Sequence, residues 1–104
     1  MNIDKIIKYL KDGKIKWSTH GLARIQERDL TIDDIKSAII SGEIIEIYDD
    51  EKPAKSSVLI FGKSRMGKVI HIVIGYDEEQ LYFVTAYFPS LDKFESDLKT
   101  RLCT

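Results

Sequence analysis

The sequence contains little of what marks secreted, disulfide-bonded or membrane-spanning proteins. Its single cysteine, Cys103, has no partner within the chain, so an intrachain disulfide scaffold is excluded. No apolar run approaches the roughly 20 residues that a transmembrane helix needs. The amino-terminal segment is amphipathic and lacks a small-residue cleavage site, so we expect no secretory signal. Together these absences predict a cytoplasmic protein that makes no contact with a membrane.

An excess of charge of one sign is also absent. The 16 lysine and arginine residues are balanced by 17 aspartate and glutamate residues, which gives a formal net charge of −1. Many nucleic-acid-binding proteins are basic overall, because neutralisation of phosphate groups dominates their affinity. A nucleic-acid ligand would therefore require a local basic surface on an otherwise slightly acidic protein.

Signatures of a metal or an organic cofactor are missing as well. The two histidines and the remote cysteine lack the spacing of a metal-binding motif. Gly62 and Gly67 flank a predicted hairpin and do not open a helix, so there is no phosphate-binding glycine loop. We expect neither a metal nor a cofactor.

What is present is the composition of an ordinary globular domain. Hydrophobic residues make up 43% of the chain and charged residues 32%, and no linker or repeat divides it. We predict a single domain over residues 1–104, with helices at about 3–42, an antiparallel sheet at about 43–88 and a C-terminal helix at about 91–101.

The helical part is predicted from hydrophobic spacing and from capping residues. Ile3, Ile6 and Leu10 recur at helical intervals. Ser18 stands where it can cap a second helix. Thr31, with a carboxylate three residues later, resembles the capping box of a third helix.

After residue 42 the pattern changes to β-branched and aromatic strands. EIIEIY, SSVLIFG, GKVIHIVIGY and LYFVTAYF are separated by short turn-like segments, as in an up-and-down meander. Leu91, Phe94 and Leu98 then return to helical spacing. We therefore predict an α+β fold in which N-terminal helices pack on one face of a four-stranded antiparallel sheet, followed by a short C-terminal helix.

Alternation in the third predicted strand indicates how the sheet is covered. The isoleucines of VIHIVI point to one face, which is the natural bed for the helices, and His71 points to the other face. If the polar faces of neighbouring strands coincide, His71, Thr85 and Tyr87 form a patch on this second face.

A polar stripe runs along the second predicted helix. His20, Arg24, Glu27 and Arg28 are spaced at i, i+4, i+7 and i+8, so they share one side of the helix. Cleavage of RNA by its 2′-hydroxyl needs a base, an acid and positive donors for the phosphate. Histidine suits the first two roles and arginine the third. The same stripe is typical of any surface helix, and Glu27 can simply pair with Arg24.

His71 and the hairpin before it are the other candidates. His71 interrupts an apolar strand, either as a structural histidine bonded to a carbonyl or to Tyr87, or as a catalytic acid or base. Lys63, Arg65 and Lys68 place three positive charges at one hairpin tip. Such a tip can bind an RNA backbone, although basic hairpins are also common solvated turns.

An ordered set of motifs resembles a known family. W-S-x-H-x-x-x-R-x-x-E-R at residues 17–28 is followed by a T-x-x-D-I helix and S-G-E-I-I-E, and later by SSVLIFG, KVIHIV and VTAYFP. The combination is similar to the bacterial domain-of-unknown-function family 4258, over roughly residues 4–95. That family resembles the BrnT and RelE toxins, in the barnase–EndoU–colicin–RelE group of metal-independent ribonuclease folds.

The resemblance implies a RelE/BrnT-like fold and an endoribonuclease toxin of a type II toxin–antitoxin pair, which cleaves RNA by acid–base catalysis. The implied partners are RNA as substrate and an antitoxin, for which a protein with a YgiT-type zinc finger is the expected neighbour. In this interpretation the two histidines act as acid and base in either order, the arginines stabilise the phosphate, and the tyrosine donates a hydrogen bond or stacks on a base. The predicted catalytic residues are His20, Arg24, Glu27, Arg28, His71 and Tyr87, and the predicted RNA-binding residues are Lys63, Arg65 and Lys68.

Two other functions fit the same residues. The chain can be a non-enzymatic module whose second sheet face docks a protein partner and whose histidines are structural. It can also bind RNA without cleaving it, with an affinity that depends on salt. Convergence of His20, Arg24, His71 and Tyr87 in an open cleft would favour catalysis, whereas burial of His71 under the helices would disfavour it.

Overall fold

The computed structural model describes residues 1–48 and 56–102, so Cys103 lies outside the described residues. Within them, three helices and five strands follow one another along the chain. They are α1 (Ile3–Lys11), β1 (Ile15–Trp17), α2 (Thr19–Glu27), α3 (Ile32–Ile40), β2 (Glu43–Tyr48), β3 (Ser57–Lys63), β4 (Val69–Tyr76) and β5 (Leu81–Tyr87). None of these three helices has the length and apolar character needed to cross a membrane.

The strands of this α+β protein form a five-stranded mixed sheet in the order β1-β5-β4-β3-β2. The prediction of a four-stranded antiparallel sheet is wrong, because a further strand lies between the first two helices. Ile15–Trp17 pairs with Leu81–Phe83 in parallel, whereas the other neighbouring strands are antiparallel. Three residues are too few to display an alternation of polar and apolar side chains, so the sequence pattern does not reveal β1.

The helices begin where capping side chains satisfy their first amide groups. The Ser18 hydroxyl accepts a hydrogen bond from the Gly21 amide at 2.9 Å. The Thr31 hydroxyl accepts from the Asp34 amide at 3.2 Å, and the Asp34 carboxylate accepts from the Thr31 amide at 3.0 Å. The second pair is a complete capping box. Both predicted N-caps, Ser18 and Thr31, are therefore confirmed.

The helices pack on one face of the sheet, which we call the inner face. Ile70, Ile72 and Ile74 of β4 are fully buried there, in the same hydrophobic cluster as Ile25 of α2 and Ile35 of α3. This confirms the prediction that the isoleucine side of the strand faces the helices. Helix α2 lies against β5, and α3 lies against β3.

The opposite, outer face is covered by residues 89–102, which we call the C-terminal segment. Phe94 of this segment packs edge-on against His71, with ring centroids 4.6 Å apart, and it is only 2% exposed. A backbone bridge joins Phe94 to Arg101, so the segment folds back on itself over the sheet. The outer face of β4 is thereby closed to solvent at His71.

The predicted C-terminal helix over about 91–101 is wrong. Leu98 adopts a left-handed conformation with φ of 59°. The carboxylate of Asp97 accepts hydrogen bonds from the amides two and three residues later, at 2.9 and 3.0 Å. Such local bonds compete with helical hydrogen bonding. The apolar spacing that suggested a helix is not one buried stripe either, because Leu91 is 64% exposed.

Two glycines of the sheet, Gly62 and Gly75, differ in how closely other parts of the chain approach them, and α3 lies close against Gly62. A Cβ atom on Gly62 would lie 2.0 Å from the carbonyl oxygen of Ala38, whereas one on Gly75 would have no neighbour nearer than 3.7 Å. Because the obstacle at Gly62 is backbone, we expect Gly62→Ala to lower the free energy of unfolding by about 2–3 kcal/mol. Gly75→Ala should change it by less than about 1 kcal/mol. Urea unfolding of both variants checks this, and equal effects would contradict the described contact.

Candidate basic cleft at the end of β5

The predicted polar stripe lies on the exposed side of α2. His20 and Arg24 are both exposed, and the Arg24 Nε group donates a hydrogen bond to His20 Nε2 over 3.4 Å. Glu27 is exposed on the same helix. The first turn of α2 lies close against β5. A Cβ atom on Gly21 would lie 2.8 Å from the Phe83 ring, so this close approach requires glycine. The stripe therefore faces solvent on the helical side of the molecule.

Arg28 has a different environment from the rest of the stripe. It follows α2 as the C-terminal cap residue, and its side chain is partly buried. The Nη1 group donates a hydrogen bond to the carbonyl oxygen of Ala86 on β5 at 3.2 Å. Because a carbonyl does not neutralise the guanidinium, the positive charge of Arg28 remains available to an anion at the end of β5.

His71 is fully buried on the outer face. Its Nε2 atom lies 2.6 Å from the carbonyl oxygen of Leu98, and its Nδ1 atom lies 3.4 Å from the hydroxyl of Tyr87. The register of β4 and β5 places His71 directly opposite Tyr87 and places Thr85 two residues along on the same face. The predicted patch of His71, Thr85 and Tyr87 is therefore confirmed, although the C-terminal segment covers its histidine.

Burial controls the ionisation of this pair. Desolvation lowers the pKa of His71 below its reference value of 6.5, against a smaller opposing effect of the hydrogen bond to Leu98. Burial also raises the pKa of the Tyr87 hydroxyl. Both groups are therefore neutral near pH 7, the histidine as imidazole and the tyrosine as phenol.

A cleft of about 450 Å³ opens where the end of β5 meets the C-terminal segment. It combines three cationic side chains with three hydroxyl groups and three aromatic rings, one of which carries one of the hydroxyl groups, and none of the described residues that line it is acidic. The lining residues are Arg28, Thr85, Tyr87, Phe88, Ser90, Lys93, Phe94 and Arg101. This basic cleft, as we call it below, is electrostatically suited to an anion even though the whole chain carries a net charge of −1.

One wall of the basic cleft is fixed by ion pairs to the edge strand β2. Arg101 Nε donates to both carboxylate oxygens of Glu46, at 2.9 and 2.8 Å, and its guanidinium lies 5.0 Å from the centre of the Phe94 ring. Lys99 forms an ion pair with Glu43. These contacts hold the C-terminal segment across the outer face, so the cleft depends on residues far apart in the sequence.

The predicted RNA-binding hairpin lies between β3 and β4. Lys63 is exposed at the end of β3. The amide and Nε of Arg65 both donate to Asp34, at 3.3 and 3.4 Å. Lys68 lies 5.9 Å from the centre of the Phe88 ring, at the rim of the basic cleft. Lys68 is thus adjacent to the cleft, whereas the charge of Arg65 is compensated by a carboxylate.

Asp34 joins this hairpin to α3. It is 7% exposed, and burial alone would raise its pKa. Hydrogen bonds from Thr31 and Arg65 outweigh that effect and lower the pKa below the usual value. Asp34 is therefore ionised at neutral pH, and its role is explained by the capping box and the pairing with Arg65.

The structure divides the predicted catalytic residues into two groups. His20 and Arg24 lie together on exposed α2, whereas His71 and Tyr87 lie together on the outer face. Neither histidine lines the basic cleft, and of the six predicted catalytic residues only Arg28 and Tyr87 do so. The two histidines therefore do not flank a common space.

Sequence reasoning missed the contribution of the C-terminal segment. Lys93 and Arg101 line the basic cleft, but the predicted helix made them part of an ordinary surface element. Residues 89–102 contain three basic and three acidic residues, so the charge pattern of the sequence carried no signal for this role. No periodicity links those residues to Arg28, because only the folded chain brings them together.

A second cleft, of about 720 Å³, lies at the other end of β4 and β5. Its lining includes the acidic turn Asp77–Glu79 and the Lys5 side chain. None of the predicted site residues lies there, and three neighbouring carboxylates repel a phosphate. Among the described residues no group of three or more histidine, cysteine, aspartate or glutamate side chains is arranged to hold a metal ion.

Burial of His71 predicts a specific dependence of stability on pH. The pKa of His71 is lower in the folded protein than its reference value of 6.5. At pH values between the folded and the unfolded pKa, His71 is therefore protonated more often in the unfolded chain than in the folded one. The free energy of unfolding should therefore fall as the pH drops below about 6.5, by up to about 1.4 kcal/mol per pH unit from this residue. We expect His71→Asn to lose this component in urea unfolding measured between about pH 8 and about pH 5.5.

His20→Asn is the matched control, because His20 is exposed. That variant should follow the pH dependence of the wild type. If the free energy of unfolding varied with pH in the same way in the wild type and in His71→Asn, protonation of His71 would not destabilise the folded protein.

The sequence was compared with family models, with curated proteins and with solved structures. The family model described as Domain of unknown function (DUF4258) matches residues 17–88. No curated protein and no solved structure matches the chain. The matched range runs from the last residue of β1 to the end of β5 and includes all six predicted catalytic residues, whereas the C-terminal segment lies beyond it. Because the match covers more than half of the chain, this protein belongs to the DUF4258 family.

Proposed function

We propose that this protein binds RNA in the basic cleft and cleaves it as a metal-independent endoribonuclease. The observation that carries the proposal is that Arg28 and Lys93, which have no carboxylate partner among the described residues, line one cleft together with three hydroxyl groups. The third cation of the lining, Arg101, is paired with Glu46. Guanidinium and ammonium groups neutralise phosphate oxygens, and hydroxyl groups add hydrogen bonds that fix the backbone. The cleft therefore has the chemistry of a phosphodiester-binding site.

The same groups fit the transition state of RNA cleavage. Attack by the 2′-hydroxyl adds negative charge to the phosphate, which Arg28 and Lys93 at the cleft would stabilise. Tyr87 is the acid–base group that lies on the cleft itself and can touch the reacting hydroxyl. The expected products are a 2′,3′-cyclic phosphate and a 5′-hydroxyl end.

The exposed stripe of α2 fits a role beside the reacting phosphate. Along an α-helix, His20 and Arg28 are separated by a rise of about 12 Å, which is too far for both to act on one phosphate. Arg24 and His20 are therefore proposed to contact flanking nucleotides, together with Lys68 at the other rim. This assignment differs from a pair of histidines acting on a single phosphodiester.

A non-enzymatic binding module is the second candidate, and one observation favours it. His71 is fully buried with hydrogen-bonding partners near both ring nitrogens, as expected of a structural histidine. In that case the basic cleft would bind RNA, or an acidic segment of a protein, without chemistry. Cleavage is what separates the two candidates.

We also propose that the protein acts in the bacterial cytoplasm as the toxin of a type II toxin–antitoxin pair. The support for this is the motif resemblance together with the basic cleft, which an antitoxin would have to block. A protein with a YgiT-type zinc finger is the partner that the resemblance suggests. Co-expression of such a neighbour should restore growth to cells that the induced protein inhibits.

The proposed activity can be tested with a fluorescent single-stranded RNA of mixed sequence in the presence of EDTA. We expect fragments that end in a 2′,3′-cyclic phosphate. Lys93→Gln should weaken RNA binding and reduce the log–log dependence of affinity on salt by about 0.7, the effect of one phosphate contact on a single strand. Lys5→Gln, at the opposite end of β4 and β5, is the control and should behave as the wild type.

The outcomes separate the candidates. RNA that is bound in a Lys93-dependent way but stays intact would favour the binding module. RNA that is neither bound nor cleaved by the folded wild type would contradict both RNA functions and favour a protein ligand.

A further inference from the structure

The hydrogen bonds of His71 define which of its ring nitrogens carries the proton. A carbonyl oxygen only accepts hydrogen bonds, so the 2.6 Å contact with Leu98 requires a proton on Nε2. In the neutral ring Nδ1 is then an acceptor. The Tyr87 hydroxyl, 3.4 Å away, is therefore oriented to donate its proton to Nδ1.

The backbone at Leu98 is held in an unusual conformation to make this contact. Its φ of 59° is in the left-handed region, which a leucine rarely adopts. The Leu98 amide donates to the carbonyl of Glu95 at 2.8 Å, and the carboxylate of Asp97 binds the two amides that follow Leu98. Strained backbone of this kind persists only where the surroundings impose it, and it is concentrated at functional sites.

Packing fixes the plane of the imidazole as well. Phe94 meets the His71 ring edge-on at 4.6 Å, Tyr87 at 5.4 Å and Phe61 at 6.1 Å. The ring is fully buried, whereas Tyr87 lines the basic cleft. Among the described residues, the polar link from His71 to the cleft is thus the contact with the Tyr87 hydroxyl.

We propose that His71 is a positioning residue, which holds the Tyr87 hydroxyl with its proton directed inwards and an oxygen lone pair directed to the basic cleft. This inference rests on the proposed endoribonuclease function. Tyr87 then meets the 2′-hydroxyl of RNA as a hydrogen-bond acceptor. The role belongs to the His71–Tyr87 couple together with the Leu98 carbonyl, and it does not require His71 to touch RNA.

The proton transfers balance as follows. The 2′-hydroxyl gives its proton to the Tyr87 oxygen while the 2′-oxygen bonds to phosphorus, and Tyr87 passes its own proton to Nδ1 of His71. The bond from phosphorus to the 5′-oxygen breaks, and that oxygen takes a proton from water. The hydroxide left by the water is neutralised when the imidazolium returns its proton through Tyr87.

Protonation of His71 before the reaction would remove the acceptor for the Tyr87 proton. The charged groups that act on the ring from the neighbouring elements are Glu46 of β2 and Arg101 of the C-terminal segment. These two groups pair with each other, so their effects on the ring oppose one another. We therefore expect cleavage to decline at acidic pH as His71 takes up a proton.

The first test needs no RNA. The chain has two histidines, so ¹⁵N NMR of the imidazoles can resolve both rings. We expect His71 to be the neutral tautomer with its proton on Nε2, and Tyr87→Phe to shift Nδ1 of His71 without affecting His20. A proton on Nδ1 at neutral pH, or a His71 signal that ignores Tyr87→Phe, would overturn the proposal.

The second test measures cleavage against pH. His71→Asn keeps an acceptor near the Tyr87 hydroxyl but cannot titrate, so kcat should fall about 10²-fold with KM little changed, and the acidic decline should disappear. Tyr87→Phe should lower kcat by at least about 10²-fold. Wild-type kcat with an unchanged acidic decline in His71→Asn would overturn the positioning role while leaving the endoribonuclease intact. Failure of the wild type to cleave any RNA would instead overturn the proposed function, and this role with it.

Discussion

The contact between His71 and the C-terminal segment is the interaction on which the outer half of the molecule depends. The imidazole bonds to the Leu98 carbonyl at 2.6 Å and packs edge-on against Phe94 at 4.6 Å. A buried polar ring without partners would be costly, so the segment and the histidine require each other. Because the segment is held there, the side of Phe94 becomes a wall of the basic cleft, and Tyr87 links the buried ring to that cleft.

Charge is distributed so that a slightly acidic protein can present a basic site. Two carboxylates of β2, Glu43 and Glu46, are paired with Lys99 and Arg101 of the C-terminal segment. The acidic turn Asp77–Glu79 lies at the other end of β4 and β5. What matters for an anionic ligand is the local field in the cleft, and net charge alone is a poor guide to it. A net charge of −1 on the whole chain is therefore compatible with an anionic ligand in the basic cleft.

Local patterns predicted the parts of the fold that local interactions determine. The caps at Ser18 and Thr31, the isoleucine side of β4 and the patch of His71, Thr85 and Tyr87 all follow from spacing within one or two elements. The strand Ile15–Trp17 did not, because its identity comes from a parallel partner more than 60 residues away. The C-terminal helix was wrongly predicted because two other interactions outweigh the apolar spacing. The Asp97 carboxylate binds the amides that follow it, and the Leu98 carbonyl bonds to the distant His71. For the same reason the sequence indicated Arg28 and Tyr87 but not the cleft that unites them with Lys93.

The most direct test of the account is an NMR titration of the wild type with a short 2′-O-methyl RNA, which can bind but cannot be cleaved. We expect amide shifts that cluster at residues 85–94 and around Arg28, with little change in α1 or in the acidic turn. Lys93→Gln should reduce these shifts. Shifts centred on the acidic turn, or none at millimolar RNA, would contradict the claim that the cleft built by the C-terminal segment is where RNA binds.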